Sequence, residues 1–162
     1  MALRHIWQHW RSTALARCIG ALLRPSPSSP SRLVKRDGTD LNSAEIGALG
    51  EVLAAKWLRR HGRKILFQNY RAPHGGEVDI VCRHGKMLAF VEVKTRRSGG
   101  LGRPADAVTK DKERLIMRGA QHWLKLLDKP DTPVRCDVVE VILQDGVVPQ
   151  INVIESVFRV DH

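Results

Sequence analysis

Apolar residues recur every three or four positions at Ile46, Leu49, Leu53 and Trp57, the stripe of an amphipathic helix. Asn42 with Glu45 three residues on gives a capping-box start, and His61-Gly62 gives a stop. The pattern then changes to strand-like segments: Lys64–Ala72, Glu77–Cys82 and Lys86–Thr95, with Arg83-His84-Gly85 as a tight turn between the last two. A helical stripe returns over Asp111–Leu127, through Ile116, Ala120, Trp123 and Leu127. A fourth strand over Val134–Leu143, a hairpin turn at Gln144-Asp145-Gly146 and a fifth strand over Val147–Ile154 complete the chain. Helix, three strands, helix, two strands predicts an α/β domain over 42–162, with a mixed central β-sheet flanked by a helix on each face.

Polar residues inside two of these strands break the apolar pattern. Side chains two apart on a strand share a face, so Glu77 and Asp79 point one way, and Glu92 and Lys94 share a face on the next strand. Acids among apolar neighbours are costly to bury without a partner. A divalent cation with oxygen ligands, magnesium or manganese, is one such partner, and the lysine then stands beside it. A Glu–Lys pair on a solvated sheet face is the plainer alternative for Glu92-Val93-Lys94 alone. Glu51 lies at the edge of the first helical stripe among Gly47, Gly50, Ala54 and Ala55. Helix-interior glycines cost about 1 kcal/mol each relative to alanine. Close approach of this helix to the sheet accounts for them, and turns Glu51 toward the strand acids.

Asp79, twelve intervening residues, then Glu92-Val93-Lys94 resembles the core signature of the PD-(D/E)XK nuclease superfamily. GEVDIV followed by FVEVKTR is similar to the YraN-like family of predicted endonucleases, related to archaeal Holliday-junction resolvases. Gly47-Ala48-Leu49-Gly50-Glu51 matches that family's GxxGE pattern, and Asn69-Tyr70-Arg71 matches it as well. The resemblance spans roughly Asn42 to the C-terminus. It implies a restriction-endonuclease-like core and metal-dependent hydrolysis of phosphodiester bonds in nucleic acid, with branched or structured DNA the first candidate. Asp79 and Glu92, with the Val93 carbonyl, would hold Mg2+ or Mn2+, and Glu51 would complete the shell. Lys94 would orient or help deprotonate the attacking water and stabilise charge on the phosphate. The three carboxylates are expected to converge on one point at the sheet surface. Glu77 either joins them or pairs with Arg71 or Arg96. The resolvase likeness also implies a homodimer, because paired strand cuts need two sites.

Charge changes the picture next. The formal net charge of the 162 residues is +10, and it is unevenly spread. Residues 1–36 carry seven basic residues and no acid, and 56–118 carry sixteen basic and six acidic residues. A basic middle that also holds the acidic strands suits a polyanionic partner and a bound metal together. Arg71, Arg96, Arg97, Arg103, Lys110, Lys112 and Arg114 are the candidate nucleic-acid contacts, the last three at a helix N-terminus where a phosphate would relieve crowded positive charge.

Residues 1–41 read as a basic extension, amphipathic at first, then a proline- and serine-rich linker expected to be disordered. Arg17 interrupts its apolar run, so a membrane span is not expected. Three cysteines without metal-ligand spacing fit a reducing, cytoplasmic compartment, and Cys82 and Cys136, inside apparent strands, read as small buried hydrophobes. Seven scattered histidines and no GxSxG disfavour zinc and serine hydrolases. The competing class is a non-catalytic nucleic-acid-binding protein on the same fold. A small-molecule phosphohydrolase is a third reading, disfavoured by basic residues that are dispersed and not gathered in one pocket.

Overall fold

The computed structural model describes residues 33–35, 37–98, 109–128, 131–158 and 160. The amphipathic start of the chain and Arg103 lie outside them. Helix α1 (Ser43–Arg60) opens with the expected capping box, Asn42 and Glu45 exchanging side-chain and backbone hydrogen bonds of 2.9 Å. It stops at His61, and Gly62 (φ 77°) turns the chain in the left-handed region that glycine tolerates. Strands β1 (Lys64–Ala72), β2 (Gly76–His84) and β3 (Met87–Arg97) follow, then α2 (Lys110–Leu126), β4 (Val134–Leu143) and β5 (Gln150–Phe158).

The five strands form one sheet in sequence order, antiparallel except for the parallel pair β3 and β4. This is the mixed α/β architecture expected, with one helix on each face. On one side Leu49, Ala54, Ala55 and Leu58 of α1 bury against Ile80, Cys82, Ala89, Val91, Val139 and Val141. On the other, Ile116, Ala120, Trp123 and Leu124 of α2 cover Tyr70, Val78, Phe90 and Cys136. The Tyr70 hydroxyl hydrogen-bonds His122 Nδ1 and ties β1 to α2. Cys82 and Cys136 are buried hydrophobes as expected, and burial pushes the Cys136 thiol up to about 12.

Packing reaches upstream of Asn42. Leu33 and Leu41 lie against the α1-side core, and the Leu33 amide donates to Asp145 Oδ1 at 2.9 Å in the β4–β5 turn. Strand β5 begins at Gln150, three residues later than the apolar pattern suggested. Val147 and Val148 are exposed, and Pro149, which has no amide hydrogen for a ladder, precedes the strand. Among the described residues no helix is long and apolar enough to cross a membrane.

Candidate active site at a fork in the sheet

Strands β2 and β3 pair from His84 opposite Met87 up to Ile80 opposite Val91, and then part. Beyond that point β2 continues only with β1, and β3 only with β4. Asp79 stands in the opening. Its Oδ2 accepts the Val93 amide at 2.8 Å, so a carboxylate takes the bond that a neighbouring strand would otherwise make. The sequence creates the fork by placing a short acid at the position where the ladder ends.

Two glycine contacts bring the helices onto the fork. A Cβ on Gly50 would lie 1.7 Å from Thr95 Oγ1, so α1 sits directly on the β3 arm only because residue 50 has no side chain. A Cβ on Gly76 would lie 2.4 Å from the Gly119 amide nitrogen, and this contact fixes α2 against the β2 arm. Gly47, by contrast, faces open space, so only Gly50 answers the expectation that helix glycines serve close approach.

Glu51, on α1, is half-buried. Desolvation raises its pKa, a hydrogen bond from Asn69 opposes that rise, and the Glu92 charge adds to it. Asn69 has φ 55°, a left-handed conformation that asparagine tolerates better than most residues. Asp79 is pushed up to about 7 by burial and by the charge of Glu92, against the Val93 hydrogen bond and Lys112. Glu92 is 3% exposed and its Oε2 is buried without a hydrogen-bond partner. Its Oε1 lies 3.0 Å from Lys94 Nζ and 3.4 Å from Lys112 Nζ.

The structure therefore brings Glu51, Asp79, Glu92 and Lys94 together, with Glu77, Arg71 and Lys112 at the rim. Glu77 pairs with Lys112 at 2.5 Å and with Arg71 at 3.3 Å, and the Lys112 hydrogen bond leads in holding its pKa low. The expected convergence of carboxylates is incomplete. Among the described residues no three His, Cys, Asp or Glu side chains form a closed ligand set. Like charges repel, and the Lys112 ammonium stands between Glu77 and Glu92. The donor set nonetheless fits a hard divalent cation: oxygen ligands, an orphaned buried carboxylate oxygen on Glu92, and two neighbouring acids with raised pKa. Val93 contributes its amide to Asp79.

The other candidates disperse. Arg96 pairs with buried Glu140 at 2.8 Å. Arg97 faces the α1 side, where its guanidinium donates to the Leu33 carbonyl at 3.3 Å. Arg114 is exposed and pairs with Asp111, and Lys110 and Arg114 line a groove on the outer face of α2 with Met117 and Arg118.

Two features escaped the sequence reading. Lys112 reads from its charge as a helix-end phosphate contact, yet it lies one turn before Ile116 and two before Ala120 on the buried stripe, a spacing that aims it at the sheet. Glu140 is the second, inside the strand expected over Val134–Leu143. It lies opposite Lys94 on β3 and is held by Arg96 and by Asn152 of β5. An acid inside the apolar run Val138–Leu143 was the available signal.

A family model described as "Uncharacterised protein family UPF0102" matches residues 50–141, a span that takes in Glu51, Asp79, Glu92, Lys94 and Lys112. A UPF0102 protein of Geobacter metallireducens is 44% identical over 119 residues, covering 74% of this chain and 96% of the relative. A UPF0102 protein of Nocardia farcinica is 45% identical over 113 residues, covering 70% of this chain and 88% of that one.

Proposed function

We propose, for a chain that belongs to the YraN-like uncharacterised protein family UPF0102, that the fork is the active site of a metal-dependent endonuclease acting on nucleic acid, with branched or structured DNA as the substrate class. One observation carries this reading: a buried Glu92 carboxylate with an unpartnered oxygen, beside Asp79 and Glu51, with Lys94 Nζ at 3.0 Å. An unsatisfied buried acceptor costs about 1–3 kcal/mol, a cost that a bound cation at that oxygen would relieve.

Asp79, Glu92 and Glu51, with the Val93 carbonyl, are the groups that would hold Mg2+ or Mn2+. When bound there, the ion supplies Lewis-acid stabilisation of charge on the phosphate and a more acidic water. To serve as a ligand Asp79 would have to give up its proton, so metal loading at neutral pH would release protons. Lys94 holds the attacking water in line and donates to the phosphate oxygen on which charge grows. Arg71, with a side chain 81% exposed beside Glu77, meets the substrate backbone at the rim. Two such sites in a homodimer would make paired cuts.

The test is incubation of the full chain with labelled branched, flapped, single-stranded and duplex substrates, with and without Mn2+, beside Asp79→Asn. Metal-dependent cleavage of at least one substrate, lost in the variant, is expected. Tight binding without cleavage by either protein would transfer the chain to the non-catalytic binding class.

A further inference from the structure

We propose that Lys112 is a tethered counter-cation of the acid site, one that a divalent ion must displace from Glu92 in order to load. The inference rests on the reading of the fork as a metal site. Lys112 sits in the first turn of α2, and its stem runs inward along the stripe of Ile116 and Ala120. Its Nζ lies 2.5 Å from Glu77 Oε1 on the β2 arm and 3.4 Å from Glu92 Oε1 on the β3 arm. One ammonium thus joins the two arms where the sheet has parted.

Carboxylates crowded into a partly desolvated fork repel one another, and an unrelieved cluster would push the arms further apart. Lys112 supplies a single positive charge and leaves Glu92 Oε2 without a partner. A divalent ion brings twice that charge and needs the same carboxylate. Two ammonium groups, Lys94 and Lys112, already stand on Glu92 Oε1, and an ion arriving at the same carboxylate is repelled by both in a low-dielectric pocket, so removal of either eases its entry. Lys94 is no alternative to eject, because it is the next residue but one to Glu92 on the same strand face. Lys112 hangs from a neighbouring helix on a flexible four-carbon stem and keeps Glu77, itself steadied by Arg71, as a place to withdraw to. The site would accordingly stay assembled without metal and admit only ions that outcompete a built-in cation.

Calorimetric titration of Mn2+ into the full-length wild type, Lys112→Met and Lys112→Arg tests this. Removing the competitor should tighten Mn2+ binding about 5–100-fold in Lys112→Met, the ordinary range for coupling between two sites, while Lys112→Arg stays near wild type. Equal or weaker binding in Lys112→Met overturns the inference and leaves the metal site standing. Absence of binding in all three proteins removes the metal site and the inference together. A second measurement needs no variant: acylation of Lys112 by an amine-reactive ester, read by peptide mass spectrometry, should rise several-fold when Mn2+ is added to wild type. Unchanged labelling under saturating Mn2+ overturns the displacement even if Lys112→Met fails to fold.

Discussion

Two groups of charges are built into this sheet, and they are satisfied to different degrees. At one, Arg63 is buried against Asp137 at 2.7 Å, Arg135 meets the same carboxylate, and both arginines reach Glu155. The Ser156 amide donates to Asp137 Oδ1, so each oxygen of this fully buried acid has a donor. Two cations face two anions. At the fork, four carboxyls face two ammonium groups and one largely exposed guanidinium, and an oxygen of Glu92 is left over. The first cluster joins the turn after α1 to β4 and β5 and asks for nothing further. Among the described residues the second is one positive charge short, and Arg71, being largely exposed, offsets little of its own share, an imbalance consistent with the proposed cation.

The largest expected effect that separates the two regions is on chemistry. Lys94→Ala should lower cleavage about 10²–10⁴-fold while leaving the unfolding transition nearly unchanged and Mn2+ binding no weaker than in wild type. Full activity in that variant would take Lys94 out of the mechanism. The reverse pattern belongs to the other cluster. Arg63→Met leaves Asp137 buried with one guanidinium fewer and should cost about 3 kcal/mol in urea unfolding, with Asp137→Leu added to it recovering much of the loss. A cost below about 1 kcal/mol would mean that this cluster does not anchor the sheet.

Smaller, and opposite in sign, is the effect of thinning the acids. Folded, metal-free Asp79 holds its proton up to about pH 7, whereas the unfolded chain releases it near the ordinary aspartate value. Between roughly pH 4 and 7 the folded state therefore binds more protons, and wild-type stability should fall as pH rises. Asp79→Asn should remove that slope and stabilise the metal-free protein at pH 7 by about 1–3 kcal/mol, while losing the gain in Tm that Mn2+ gives wild type. Melts across that pH range in chelator and in Mn2+ read both halves. Equal stabilisation of the two proteins by Mn2+ would show that Asp79 is no ligand. Smallest is Arg71→Ala, expected to change stability by no more than about 0.5 kcal/mol and to reduce the salt dependence of nucleic-acid binding by about one phosphate contact. An unaltered salt slope would remove Arg71 from the substrate path.

The satisfied and the unsatisfied cluster were not equally legible in the sequence. Periodicity placed β1 and β4 at their observed bounds and α1 at its cap, because those signals are local. Strand alternation puts the acids and Lys94 on shared faces, but it is the family resemblance, through the GxxGE pattern and the Asp79 to Glu92 spacing, that groups them with Glu51 in the sequence. Arg63 and Asp137 are 74 residues apart and Arg96 and Glu140 are 44 apart, so no local pattern joins them. The cost of an acid inside an apolar strand was visible at Asp137 and Glu140, but the partner that meets it was not. Lys112 differs again: its charge points to a helix-end phosphate contact, whereas its place on the buried stripe points it at the sheet. The start of β5 was missed because exposed Val147 and Val148 mimic a strand that Pro149 postpones.

The parallel pairing of β3 with β4 has a consequence for how the chain is made. Strand β3 ends at Arg97 and its partner begins at Val134, so β3 has no neighbour on that side until α2 and the segments flanking it have been synthesised. During that interval an apolar edge carrying Leu88, Phe90, Val91 and Val93 is open to pairing with any other chain. The far half of the same edge carries Glu92, Lys94, Arg96 and Arg97, charges that a foreign strand would have to desolvate. Side chains proposed for the chemistry would thus also disfavour foreign pairing of the nascent strand. Neutral substitutions among them should be judged by soluble yield as well as by rate.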